Sequence, residues 1–165
     1  MTLQAKITFA IFFITVAQNT AYGLIAPFFP QELSSRGMTQ KWIGLIFASY
    51  PLSTIIFSPI IGKLYPYTGR RSLILFGVFL MGSVFLCYSA IQEISNMHLF
   101  IGMNALFRML QGLASALTQT TIYSVCTNFY GERREAMIGY CEALQALGFI
   151  IGPILGSFIY DFGGL

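Results

Sequence analysis

Arg108 lies near the middle of an apolar stretch, and its chemistry is the hardest in this sequence to reconcile with its surroundings. Residues 104–120 read NALFRMLQGLASALTQT. A guanidinium does not lose its proton in proteins, and at the centre of a bilayer it costs about 2.5–3.5 kcal/mol on insertion scales. Either the stretch lies outside a membrane, or Arg108 faces something other than lipid.

Polar residues share the helical face of Arg108. They recur at Asn104, Arg108, Gln111, Ser115 and Gln119. Steps of three and four place them in one stripe along a helix, and lipid would leave their polar groups unsatisfied. Interhelical hydrogen bonding explains the amides, whereas a permanent cation within a span indicates a functional site. We expect the stripe to face a polar cavity, with interhelical packing as the alternative.

Two other stretches carry polar side chains at helical spacing. The first is uncharged and comprises Thr15, Gln18, Asn19 and Tyr22. In the second, Glu142 and Gln145 are three residues apart, and Glu142 is the only acid well inside an apolar stretch. A buried carboxylate pairs with a cation or takes up a proton. The backbones of Arg108 and Glu142 would differ in depth by about 7 Å, so a static salt bridge and a carboxylate available to a proton or cation both stay open.

The elements that position these residues are predicted to be membrane-spanning helices. The chain is 56% hydrophobic and only 9% charged, compared with about 25% charged residues in soluble domains. Five apolar runs reach the ~20 residues that a span requires, at 7–29, 42–64, 72–91, 99–126 and 136–160. We therefore predict an all-α, multi-pass protein of the lipid bilayer. The net charge of +3 is scattered, which disfavours nucleic acid as a partner.

Short connections are predicted between the spans, at residues 30–41, 65–71, 92–98 and 127–135. Basic residues are unequally divided between the two sides. One side carries Lys6, Lys63, Arg70, Arg71, Arg133 and Arg134, and the other carries Arg36 and Lys41. Because cytoplasmic loops are enriched in Lys and Arg, the N-terminus and the 65–71 and 127–135 connections are predicted to be cytoplasmic.

No pattern in the sequence indicates a reaction centre. HExxH, GxSxG and glycine-rich phosphate loops are missing from the sequence. Cys87, Cys126 and Cys141 show no metal-binding spacing. We predict no cofactor and no metal, and a lipid-modifying enzyme is only the third class of function considered.

The fifth run contains a motif of small residues. GFIIGPILG places Gly148, Gly152 and Gly156 at fourfold spacing, with Pro153 in the same segment. Small residues at this spacing let a neighbouring helix approach closely, and proline bends a helix. We expect a tightly packed, bent helix here.

Three motifs, in order along the chain, resemble the major facilitator superfamily of secondary transporters. GKLYPYTGRR resembles the family's loop motif between helices two and three, RMLQG its helix-four motif, and GFIIGPILG its helix-five antiporter motif. APFFPQEL (Ala26–Leu33) is most similar to the vesicular amine and polyamine branch. The resemblance implies gating or helix-packing roles for Gly62, Gly69, Arg70, Arg71, Gly112, Gly148, Gly152, Pro153 and Gly156.

The resemblance also implies a fold and an activity. Family members have twelve helices in two halves, with the site at their interface near mid-membrane. Residues 1–165 would be an incomplete N-terminal half, whose partner is the remaining half of the same transporter. The implied activity is proton-coupled antiport of small organic cations, amines or polyamines, in a vesicle or plasma membrane. Arg108 and Glu142 would couple protons, and the substrate would contact Gln18, Asn19, Tyr22, Asn104, Gln111, Glu142 and Gln145.

Two departures from the family pattern bear on the gating contact and on the substrate, respectively. Pro66 occupies a position that is usually acidic in the loop motif. Gln18 occupies the position at which monoamine members carry an aspartate, which disfavours a plain monoamine carrier. A facilitator or drug exporter that recognises uncharged groups stays open, as does a non-transporting scaffold or receptor whose polar stripes only join helices.

Overall fold

The computed structural model describes residues 3–25, 29–91, 94 and 96–163. All regular elements of these residues are helical, which confirms the predicted all-α class. They are α1 (Leu3–Ile25), α2 (Phe29–Ser35), α3 (Gln40–Thr68), α4 (Arg70–Ile91), α5 (Met97–Phe129), a 3₁₀ turn (Gly131–Arg133) and α6 (Arg134–Gly163). Parts of two predictions lie outside the described residues: positions 26–28 of the APFFPQEL motif, and positions 92, 93 and 95 of the 92–98 connection.

The predicted 30–41 connection is wrong in its first half, because it contains α2. Phe29 and Leu33 lie one helical turn apart and are both buried. On the exposed side, Arg36 Nε donates to Glu32 Oε1 at 2.9 Å. The polar residues that suggested a loop therefore cover the outer face of a short helix.

The other predicted connections are shorter than expected. The 65–71 connection is reduced to Gly69, because α3 continues through Pro66 to Thr68. Gly69 has φ +82° and its N–H donates to Tyr65 O at 3.3 Å. This φ favours glycine, so the chain reverses direction at one residue. In the 127–135 connection, α5 runs to Phe129 and α6 begins at Arg134.

Four stretches of the described residues are long and apolar enough to cross a membrane. They are Leu3–Ser35, Gln40–Thr68, Arg70–Tyr88 and Gly131–Phe158. The predicted fifth span corresponds to α5, which at 33 residues exceeds the ~20 that a span requires. The polar stripe lowers the mean hydropathy of α5, so that α5 is not among the four stretches identified by length and apolarity.

The chain divides into two compact units. The terminal unit comprises Met1–Arg36 and Cys126–Leu165, and the central unit comprises Gly37–Val125. The division falls within α5, so that the last turn of this helix belongs to the terminal unit. Each unit contains long helices in close contact.

In the terminal unit, α1 and α6 run parallel. Thr8 Oγ1 and Tyr130 Oη are 2.7 Å apart at one end, and the Phe12 and Tyr140 rings meet edge-on at 6.4 Å. The residue numbers of the contacting pairs increase along both helices, up to the contact between Gly23 and Gly152. Because the numbers rise together on both helices, the two helices are parallel.

In the central unit, α3, α4 and α5 pack together. Ile61, Leu73, Ala116 and Leu117 form a buried apolar cluster from all three helices. Gly77 of α4 also lies against Ala114 and Leu117 of α5. This core holds α5, and with it the polar stripe, against two apolar neighbours.

Candidate functional site

The polar stripe of α5 is buried over most of its length. Asn104, Arg108, Gln111 and Ser115 are each at most 1% exposed, and Gln119 is half-buried. Arg108 is the largest fully buried side chain of the described residues. The helix periodicity that predicted one shared face therefore corresponds to one buried face.

Several polar atoms on this buried helix have no hydrogen-bond partner among the described residues. They are Asn104 Oδ1, Gln111 Nε2, Ser115 Oγ and Thr121 Oγ1. The Asn104 amide uses its other end, Nδ2, to donate to Phe100 O at 2.8 Å. Buried polar groups in native proteins almost always bind a protein group or water. These atoms are therefore suited to bind water or a polar ligand.

Neutral side chains of the central unit lie against Arg108. Its Cζ lies 4.7 Å from the centroid of the Phe47 ring on α3. Its Nη1 donates to Gln111 Oε1 at 3.4 Å on the same helix. Tyr88 of α4 also interacts electrostatically with the guanidinium. All three helices of the central unit thus contribute to holding this cation.

The polar side chains of α1 make hydrogen bonds within α1 and packing contacts with α6. Thr15 Oγ1 donates to Ile11 O at 2.8 Å, and Asn19 Nδ2 donates to Thr15 O at 2.7 Å. Asn19 is buried and packs directly against Gly148 of α6. Of the predicted substrate contacts on α1, Asn19 is thus placed in the helix–helix contact.

The remaining two α1 residues of the predicted site are half-buried. Gln18 is one of them. Tyr22, the other, meets Phe149 of α6 edge-on, with ring centroids 5.6 Å apart. Both residues stay predicted contacts for a substrate.

Glu142 does not have the burial on which its expected role was based. Its side chain is exposed on α6, and Gln145 is half-buried one turn later. The expectation of a carboxylate desolvated by this chain is therefore wrong. The alternatives of a salt bridge to Arg108 and a carboxylate available to a proton or cation stay predictions, because the two residues belong to different units.

The glycine motif of α6 makes the close contact that its spacing predicted. A Cβ at Gly152 would lie 2.6 Å from Gly23 Cα, and one at Gly148 would lie 2.8 Å from Asn19 Cβ. Gly156 is also buried, and Pro153 lies within the helix. The motif therefore allows the backbone of α1 to pack directly against α6.

The residues of the loop motif lie at the junction of α3 and α4. Gly69 forms the junction itself, and Arg70 and Arg71 are exposed in the first turn of α4. Gly62 is exposed on α3, with the Thr120 methyl 4.0 Å from its would-be Cβ. Gly112 of the RMLQG motif is buried against Tyr50 and Ser53 of α3.

Sequence reasoning missed the α3 side of this arrangement. Phe47 had no distinguishing signal, because it is one of 16 phenylalanines. The hydroxyls of Ser49, Ser53 and Thr54 did carry one, since Ser49 and Ser53 lie at the fourfold spacing of a packing face. A search of the second span for small hydroxyl residues would have found them.

Comparison with known proteins extends over nearly the whole chain. The sequence model of the Major Facilitator Superfamily matches residues 9–165. The MFS-type transporter SLC18B1 of Homo sapiens is 25% identical over 148 residues, which cover 90% of this chain and 32% of that protein. Multidrug resistance protein 2 of Bacillus subtilis (strain 168) is 30% identical over 143 residues, covering 86% of this chain and 34% of that protein.

A further relative is the quinolone resistance protein NorA of Staphylococcus aureus. It is 26% identical over 161 residues, which cover 94% of this chain and 39% of that protein. The chain thus spans about a third of the length of the curated relatives it matches. The family match confirms the resemblance seen in the three motifs. The chain belongs to the major facilitator superfamily, whose members are multi-pass membrane transporters and not enzymes.

Proposed function

We propose that this chain forms part of a secondary transporter that exchanges small organic cations for protons by alternating access. The observation that carries the proposal is the burial of Arg108, 1% exposed, within a polar face of α5. A permanent charge inside a membrane helix is expensive and marks a functional site by default. Family membership supplies the class of activity, and the remaining part of the transporter would supply the opposite wall of the site.

Arg108 would act on the protonation of a carboxylate. A cation within about 4–6 Å of a carboxylate favours its charged form, and burial favours the neutral form. Moving the guanidinium towards or away from the carboxylate would therefore release or bind a proton. Glu142 is the candidate in this chain, and its exposed side chain would need to be covered by substrate or by the other half of the transporter.

The substrate would be held mainly by neutral groups. Gln18, Tyr22, Asn104, Gln111 and Gln145 would hydrogen-bond it, with Asn19 supporting them from the α1–α6 contact. The Glu142 carboxylate would bind an ammonium group when deprotonated. Amines and polyamines fit this combination, because they present several N–H donors together with positive charge. The excess of basic residues in alternate connections supports a cytoplasmic N-terminus.

The test is uptake driven by a pH gradient. The complete protein that carries this chain would be reconstituted into acid-interior proteoliposomes and supplied with labelled polyamines or monoamines. Arg108→Ala should abolish pH-driven uptake while protein level and folding are unchanged. Arg36→Ala is the matched control, since Arg36 lies on the surface beside Glu32, and it should transport normally. Normal uptake by Arg108→Ala would refute the coupling role.

Drug export is the second candidate function, favoured by the names of two bacterial relatives. In that case the stripes of α1 and α5 would recognise mixed or uncharged drugs. Competition separates the two proposals: polyamines should block uptake in an amine carrier, and a quinolone should block it in a drug exporter. Counterflow by the unmodified protein without any pH gradient would instead indicate a facilitator.

A further inference from the structure

Side-chain hydroxyls of α3 lie against backbone carbonyls of α5 on both sides of Arg108. Ser53 Oγ donates to Met109 O at 2.7 Å, and Thr54 Oγ1 donates to Gly112 O at 3.1 Å. Ser49 Oγ donates to Ile46 O of its own helix at 2.6 Å and lies 3.4 Å from Ala105 O. The acceptors lie on both sides of Arg108 in the sequence, so α5 is fixed where it carries the cation.

The same segment is the closest approach of the two helices. A Cβ at Gly112 would lie 2.7 Å from Ser53 Cβ and would collide with Tyr50 O. Ser53 itself is fully buried. Glycine is therefore required for the contact, and the contact sets the rotation of α3 relative to α5. That rotation determines which α3 side chain reaches Arg108.

The side chain that reaches it is Phe47. Its ring centroid lies 4.7 Å from Arg108 Cζ, within the range of a cation–π interaction. Tyr88 of α4 also interacts electrostatically with the guanidinium through its hydroxyl. The Tyr88 ring is supported in turn by Phe107, at 6.0 Å and 82°.

We propose that Phe47 and Tyr88 are positioning residues that hold the Arg108 guanidinium, Phe47 through its ring and Tyr88 through its hydroxyl, in a register set by the α3–α5 hydroxyl bonds; we call this pair the aromatic clamp. The inference rests on the proposed function, because the clamped group is the proposed coupling cation. A neutral clamp has an advantage over a carboxylate partner. It restrains the guanidinium without cancelling its charge, so the full charge acts on the protonation of the coupling carboxylate.

The clamp predicts a change in pH dependence rather than a loss of transport. Phe47→Leu keeps an apolar side chain but removes the ring, so the guanidinium is no longer held at one position. The pH of half-maximal exchange should shift by about one unit, with the maximal rate retained at a steep gradient. Phe47→Tyr keeps the ring and should restore the original profile. Phe76→Leu, the same change at an exposed position of α4, should have no effect.

Tyr88→Phe provides a second variant if Phe47→Leu does not fold. It removes only the hydroxyl, leaves the ring on Phe107, and should shift the profile in the same direction. Folding of each variant would be checked by its thermal unfolding midpoint. An unchanged pH profile in both variants, with Arg108→Ala inactive, would overturn the clamp and leave the proposed function standing.

A spectroscopic readout separates the clamp from transport. In protein labelled with ¹⁵N-arginine in lipid nanodiscs, the Arg108 Nε–Hε signal would be assigned by its loss in Arg108→Lys. Phe47→Leu should move this signal towards those of the exposed arginines, because the ring current is lost, and Phe76→Leu should not. A signal that stays in place would overturn the clamp, whatever the transport result. If the signal moves but Arg108→Ala transports normally, the proposed function fails and the contact stands.

Discussion

The terminal and central units each bring two parallel helices into close contact, but with different chemistry. In the terminal unit α1 lies on the glycines of α6, where Gly23 and Gly152 meet through their backbones. In the central unit α3 donates side-chain hydroxyls to the carbonyls of α5, with Gly112 as the point of closest approach. Both pairs satisfy the need of membrane helices for small residues at their interfaces.

The two kinds of contact differ in how far they fix the rotation and register of one helix relative to the other. A glycine contact gives close packing through dispersion, which has no preferred direction. A hydroxyl-to-carbonyl bond has both a distance and an angle, so it also fixes rotation and register. In the central unit these directional contacts lie around Arg108, whereas the hydroxyl contact of the terminal unit, between Thr8 and Tyr130, lies at one end. We infer that register matters most where a buried charge must meet particular neighbours.

The largest expected effect is that of Gly152→Ala in the terminal unit. The new Cβ would lie 2.6 Å from Gly23 Cα and 2.7 Å from Thr20 O. Backbone atoms cannot move aside singly, so α1 and α6 must separate, at a cost of about 1–3 kcal/mol or more. The thermal unfolding midpoint should fall by several degrees. Gly139→Ala, on the same helix with no atom within 4 Å, is the control, and equal midpoints for the two variants would contradict the contact.

Gly112→Ala should have the next largest effect. It introduces a Cβ 2.7 Å from Ser53 Cβ and against Tyr50 O. The Ser53 side chain can yield in part, so we expect destabilisation at the lower end of about 1–3 kcal/mol. The change should also shift the Arg108 Nε–Hε signal, because it displaces Phe47. Gly102→Ala, in open space on the same helix, should do neither.

Ser53→Ala should have a smaller effect on stability. It removes one interhelical hydrogen bond, and such bonds contribute about 0.6 kcal/mol on average and up to about 1.7. Ser58→Ala is the matched control, because Ser58 Oγ donates to Thr54 O of its own helix. Unfolding free energy in mixed micelles would measure both. A loss no larger in Ser53→Ala than in Ser58→Ala would show that the α3–α5 bond does not hold the helices together.

Double variants sharpen the comparison between the units. Ser53→Ala and Thr54→Val act on neighbouring hydroxyls of one contact, so their effects should couple. Ser53→Ala and Gly152→Ala act in different units. The loss of unfolding free energy in the double variant should therefore equal the sum of the two single losses within about 0.3–0.5 kcal/mol. Strong coupling between the second pair would show that the two contacts behave as one.

The smallest perturbation is a chemical cross-link. Cys126 and Cys141 are both fully buried in the terminal unit, and each thiol perturbs the other electrostatically. Oxidation by copper phenanthroline and oxygen should join them with little loss of stability. Trypsin and mass spectrometry would then find peptide 109–133 linked to the peptide that begins at Glu135, until reduction. A disulfide that involves Cys87 instead would contradict this contact.

The sequence predicted the helices and their buried faces better than their ends. Hydropathy identified the five long helices, and periodicity identified the stripe through Asn104, Arg108 and Gln111. Their ends were misplaced because helical hydrogen bonding continues through polar residues, as at Thr68, and through proline, as at Pro66. The exposure of Glu142 was missed because an apolar stretch does not show which face a neighbour covers.

The neighbours of Arg108 were beyond prediction for a different reason. The sequence contains 16 phenylalanines and 9 tyrosines, and their spacing does not indicate which of them meets Arg108. That choice depends on the rotation of α3, which is set by Gly112 and Ser53 in three dimensions. The glycines of α6 predicted a close approach, whereas the identity of its partner, α1, required the structure.

The central claim is that the buried charge at position 108 borders water that opens to either side of the membrane in turn. The most direct measurement is the labelling of Arg108→Cys by a membrane-impermeant thiol reagent, in a background with Cys87, Cys126 and Cys141 replaced by alanine. We predict that position 108 reacts with reagent from at least one side, and that substrate or pH changes the rate. A thiol sealed from both aqueous phases under every condition would contradict the claim.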